Sequence, residues 1–139
     1  MSRSARWLAT TLTLLLCACP KSDSSPPSDA RATLSQAGGF YVRWKPSIEP
    51  PPLNEAFDGT LWLSTRVEGE PIELAQLDVD CRMPAHRHGM LQEVDIIEEG
   101  AGRYSVRGFL CHMAGNWVLQ VDLTQGAITE RAQFDILIE

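Results

Sequence analysis

The chain has 139 residues, 12 of them basic and 18 acidic, for a net charge of −6. It carries no Lys/Arg stripe that could neutralise phosphates, which argues against nucleic acid as a partner. No Gly-rich phosphate loop, nucleophile elbow or carboxylate pair is present either, so an enzyme is not expected.

Arg3 and Arg6 precede an apolar run from Trp7 to Leu16, too short to cross a bilayer and of the kind found in export signals. Leu16-Cys17-Ala18-Cys19 follows. Small Ala18 just before Cys19 matches a bacterial lipoprotein processing site, which makes residues 1–18 a signal peptide and Cys19 the lipidated first residue. Cys17 fits less well, because Leu16 would then precede the cut. An ordinary cleaved signal with an incidental Cys is the alternative. The expected place is the periplasmic side of a bacterial membrane, held by a lipid anchor of more than one chain. Pro20, where Asp often marks inner-membrane retention, favours the outer membrane. Loss of residues 1–18 removes two arginines and no acids, leaving 10 basic against 18 acidic residues and a net charge of −8.

Residues 19–37 are rich in Ser, Pro, Asp and Ala and offer little to bury, so they read as a flexible lipidated tether. Residues 38–139 then form one domain, large enough for a modest core. Apolar residues alternate with period two through nearly all of it, and no helical stripe persists. Phe40, Val42 and Trp44 make a first strand. Phe57, Leu61, Leu63 and Val67 make one face of the second; Leu77, Val79, Cys81 and Met83 make the buried face of the third. A short strand near Gln92–Ile97 comes next. The fifth begins with Tyr104 and Val106, and its buried parity switches to Phe109, Cys111 and Met113 after Gly108, which predicts a bulge there. Trp117–Leu123 and Ala132–Ile138 supply the last two. Seven strands separated by Gly-containing turns predict an all-β, seven-stranded antiparallel immunoglobulin-like β-sandwich.

The chemistry of the chain gathers in two places, Met83-Pro84-Ala85-His86-Arg87-His88-Gly89-Met90 and Cys111-His112-Met113. All three histidines and three of the four methionines lie there. Thioether plus imidazole without carboxylate is the ligand mix that soft Cu(I) prefers over Zn, Mg or Ca. His88 and Met90 lead the candidate ligands, followed by Met83 and Met113, with His86 and His112 beside them. Each also has a structural reading. Met83 and Met113 share parity with buried cysteines and can be gap-filling core; His112 can be a solvent-facing strand residue; His86 can bond its own loop. An extended segment would place His86, His88 and Met90 on one face. A blue-copper site does not fit the consecutive Cys111, His112 and Met113, and the uneven spacing does not fit structural zinc.

Residues 38 to 138 resemble the YtkA-like domain family. The resemblance rests on Gly39-Phe40-Tyr41-Val42-Arg43-Trp44, the Pro-rich approach to Leu53-Asn54-Glu55-Ala56-Phe57, the Met83–Met90 segment, Gly102-Arg103-Tyr104, and Met113-Ala114-Gly115-Asn116-Trp117. It implies an immunoglobulin-like sandwich on exported or membrane-anchored bacterial proteins, some linked to copper handling or respiratory oxidase assembly. An envelope protein of such a system is the partner it implies. The family often has Met-Pro-Gly where this chain has Met113-Ala114-Gly115. An apolar residue is common there in place of Cys111, a departure that points to a pair made by Cys81 and Cys111. Export to an oxidising compartment and inward parity favour a disulfide between them over free thiols or ligation. Such a bridge would add roughly 3 to 4 kcal/mol in the chain-entropy model. Two functions follow as alternatives: a copper-binding lipoprotein that sequesters or delivers Cu(I), or a non-catalytic interaction module in which the Met83–Met90 loop is structural.

Overall fold

A computed structural model describes residues 24–139; residues 1–18, expected to be a signal peptide, and Cys19 lie outside them. Nine strands form two antiparallel sheets. The first sheet runs β1 (Arg31–Leu34), β2 (Phe40–Pro46), β3 (Phe57–Thr65), β7 (Arg103–Phe109), β6 (Asp95–Gly100); the second runs β5 (His88–Gly89), β4 (Gln76–Met83), β8 (Gly115–Gln125), β9 (Ile128–Ile138). The chain is therefore an all-β sandwich, as the alternation predicts.

Alternation fixes which face each strand buries. In β2, Phe40, Val42 and Trp44 are buried while Tyr41 and Arg43 are exposed. In β4, Val79, Cys81 and Met83 turn inward, and β8 contributes Trp117, Leu119, Val121 and Leu123 from the facing register. Slipping either strand by one residue would send these side chains to solvent. The core is dominated by aromatic rings: Trp44 lies 6.0 Å from Phe134, and Phe57 stacks on Phe109 at 5.3 Å.

The parity switch after Gly108 has its physical cause in the ladder. Phe57 pairs with Phe109 and Gly59 with Val106, so Arg107 and Gly108 together oppose Asp58. Gly108 takes φ +87 and its N–H donates to Asp58 Oδ1 at 3.1 Å. This extra residue turns Cys111 inward at the end of the strand.

Three expectations are corrected. Among the described residues there are nine strands instead of seven, because β1 and β5 are added at sheet edges. β1 lies within the segment read as a tether. It is held by backbone pairing with β2 and by Arg31 seated 4.9 Å from the Trp44 ring, not by an apolar face of its own. Ser35 after it is buried and donates to Glu130 at 2.6 Å. Val67, assigned to a buried face, is 91% exposed beyond the end of β3.

Candidate metal centre

β4 ends at Met83 and returns as β5 through a four-residue loop, with Met83 opposite His88. The turn is closed by His86 N–H to Met83 O at 3.1 Å and Arg87 N–H to Pro84 O at 3.3 Å, with Arg87 at φ +56. The loop is thus a tight hairpin. It does not carry His86, His88 and Met90 on one extended face, since the i→i+3 bonds curl residues 84–87.

The hairpin brings His86 within 5.8 Å of His88, between ring centroids, and His88 within 4.9 Å of His112 from the β7–β8 connection. Both inner rings meet buried Trp117 edge-on, each at 5.5 Å. Trp117 is held in turn by its Nε1–H, which donates to Met113 O at 2.9 Å. Two segments distant in sequence therefore converge on one indole. His112 is half-buried against these rings instead of facing solvent on a strand.

His88 Nδ1 lies 3.3 Å from Gly89 O. A carbonyl only accepts, so a hydrogen bond here has Nδ1 donating, the tautomer in which Nε2 keeps its lone pair. His88 Nε2 is buried and has no hydrogen-bond partner; neither does buried Nδ1 of His112. Buried polar atoms are nearly always satisfied. Two orphaned imidazole nitrogens on facing rings are what a two-coordinate or three-coordinate soft cation would use.

The thioethers divide. Met83 is buried, and its Cε would lie 2.5 Å from a Cβ placed on Gly115. Gly115 takes φ +129, so a residue without Cβ lets Met83 pass beneath the loop that carries Met113. Met83 and Met113 thus emerge at one end of the sandwich. Met90 packs on the core, and its Sδ accepts a hydrogen bond from Leu110 N–H at 3.5 Å. That occupation makes Met90 a weaker candidate ligand than the sequence implies. Among the described residues no three His, Cys, Asp or Glu side chains are grouped to hold one ion.

Cys81 and Cys111 are both fully buried, and both are free thiols, so the expected disulfide is not formed in this structure. They touch across the two sheets. Their shared hydrogen bond, together with burial, pushes the Cys81 thiol far up, while the same bond lowers that of Cys111. Trp117 and Gly115 belong to the site although residue-type reasoning passed over them; the indole five residues after His112 and the glycine two after Met113 were the available signals.

No family model, no curated protein and no solved structure matches this chain.

Proposed function

We propose that this protein is a lipid-anchored lipoprotein of the bacterial envelope that binds Cu(I) through His88 and His112 with a thioether from Met83 or Met113, to sequester it or pass it to an envelope partner. The observation that carries this reading is the pair of buried, unpartnered nitrogens on rings 4.9 Å apart. A carboxylate-free set of imidazole and thioether donors favours the soft, monovalent ion. His86, exposed at the hairpin tip and 5.8 Å from His88, is placed to capture the ion first and hand it inward. Copper is cargo here. The role of the residues is to hold it weakly enough to be released to a tighter site.

The same reading takes the fold as immunoglobulin-like and YtkA-like. With the short β1 and β5 set aside, the sheet orders become β2-β3-β7-β6 and β4-β8-β9, which in a seven-letter naming is the ABED and CFG arrangement of an immunoglobulin constant-type sandwich. Signal peptide, Cys19 lipidation and periplasmic exposure rest on the N-terminal sequence.

A second reading has its own support. The Met90 Sδ bond to Leu110 and the closed turn over Pro84–Arg87 are what a purely structural loop on an interaction module would show. A Cu(I) competition titration of the full chain in detergent separates the two. One equivalent bound more tightly than about micromolar, some 8 kcal/mol, and lost in His88→Ala/His112→Ala with unchanged circular dichroism, supports the copper site. Equal binding by wild type and variant leaves the interaction module.

A further inference from the structure

The two long sides of the sandwich are not alike. On one, Arg31 Nη2 donates to Asp135 O at 2.7 Å and Gln36 N–H donates to Arg131 O at 2.8 Å, tying β1 and its continuation to β9. On the other, β5 accompanies β4 for two residues only. Met90 N–H still reaches Cys81 O at 3.1 Å, and the chain then leaves to cross to β6. Pairs Met83–His88 and Cys81–Met90 show that odd-numbered residues of β4 bond toward this side, so the N–H and C=O of Leu77 and Val79 point into the vacated position. No loop hydrogen bond among the described residues reaches them, and their ladder neighbour β8 lies on the opposite side of β4. A cleft of about 540 Å³ lies against this edge, bounded by Leu77, Val79, Met90, Val94 and Ile96.

We propose that this free edge, Gln76–Asp80, takes an extended basic segment of a partner protein as an added strand. Chain addition of this kind draws affinity from main-chain bonds and specificity from alternate side chains. Here the alternation is defined. Side chains facing the sandwich would enter the cleft beside Leu77, Val79 and Ile96, whose lining also includes Gln92 and Glu93. Those on the other face would lie beside Asp78 and Asp80, with exposed Glu93 at the rim. Asp80 is shared with Arg82 at 2.8 Å, whereas Asp78 makes no ion pair or hydrogen bond among the described residues and meets the charge of Arg131 at longer range. From residue 76 to 80 the edge has no Pro, no Lys and no bulge, and its only charges are Asp78 and Asp80. A second copy of this chain is disfavoured, because antiparallel self-pairing would set Asp78 and Asp80 against their own kind. A segment alternating apolar residues with Lys or Arg meets both faces. The cleft ends at Met90, next to the imidazole cluster, so a partner seated there would lie beside the candidate metal centre; the docking itself does not depend on metal.

The test uses the full chain in detergent and a short synthetic peptide alternating lysine and valine. Amide hydrogen exchange at Leu77 and Val79 is expected to slow at least about tenfold with peptide, and Asp78→Lys to weaken binding at least about tenfold. Peptides with Glu in place of Lys, or N-methylated on alternate residues, are expected not to bind. Binding without slower exchange at Leu77 and Val79, or equal binding of the acidic or methylated peptide, would overturn the proposal. So would protection of these amides by the protein's own self-association. Peptide binding is measured with a Cu(I) chelator present and is expected to be unchanged by it, so that failure of the copper reading and failure of this one are told apart.

Discussion

His88 and His112 face each other with ring centroids 4.9 Å apart, and each buries a ring nitrogen that no group satisfies. An unsatisfied buried acceptor costs roughly 1–3 kcal/mol, so the metal-free protein is less stable than its packing allows. The double substitution His88→Phe/His112→Phe keeps two rings against Trp117 and removes both orphans. It is expected to raise the urea midpoint of the metal-free protein by the equivalent of about 1 kcal/mol while abolishing copper binding. A lowered midpoint would mean that the imidazoles serve packing.

Copper held by these imidazoles would sit next to an indole. Trp117 is fully buried and 5.5 Å from both imidazoles, so its emission is expected to fall on Cu(I) addition and to stay unchanged in His112→Ala. The accompanying stabilisation should be about 2.7 kcal/mol at a free ion concentration one hundred times Kd. Emission that changes equally in both proteins would place the ion elsewhere.

Much of this architecture is legible in the sequence because one wet and one buried face impose period two on each long strand. β4 and β8 show it residue by residue, and the change of parity at Gly108 marks a true bulge. β1 escapes because Arg31-Ala32-Thr33-Leu34 buries little; its backbone pairs with β2 and its Arg covers Trp44. β5 is two residues long, below any periodic signal. At the site, residue type picks out the three histidines, but the hydrogen bond that Met90 accepts is not legible in the sequence. The Leu110 amide that occupies its sulfur comes from another strand end, which only the fold brings near.

The Cys81–Cys111 pair predicts ordered thiol reactivity. Both side chains are fully buried, and thiolate is the reacting form. Burial and the shared bond raise Cys81, whereas Cys111 is lowered. In reduced native protein, alkylation at pH 8 is expected to be at least about a hundredfold slower than in urea, limited by opening of the sandwich. Cys111 should be modified before Cys81. Mass spectrometry of peptides from partially alkylated protein reads the order, and preferential labelling of Cys81 would refute it.

Tyr104 gives a pH dependence with a definite sign. Its buried hydroxyl donates to Ile72 O at 2.8 Å, and burial is the main cause that raises its pKa above the usual 10.0. The folded state therefore favours the neutral phenol. That contribution is complete below the unfolded pKa and is lost as pH rises through the folded value. Wild type is expected to lose stability between about pH 9 and about pH 11 more steeply than Tyr104→Phe. At neutral pH the Phe variant should be less stable by about 1–2 kcal/mol, because Ile72 O is left without its donor. Parallel curves for the two proteins would remove Tyr104 as the cause.

Met83 and Gly115 are coupled through space, and that coupling ties the hairpin to the loop carrying His112 and Met113. A Cβ at position 115 would meet Met83 Cε at 2.5 Å, on a backbone at φ +129. Gly115→Ala therefore carries two costs, backbone strain of about 1–3 kcal/mol and a collision that the Met83 side chain must yield to. Met83→Leu removes Cε and leaves the strain untouched. The double variant is expected to be more stable than the sum of the single effects by roughly 0.5–2 kcal/mol, the range found for residues in contact. Additive effects in urea unfolding would show that Met83 does not pack beneath the loop. Copper binding would follow the same cycle if Met83 supplies the thioether: weakened in Gly115→Ala by displacement, and absent in both variants that lack the sulfur.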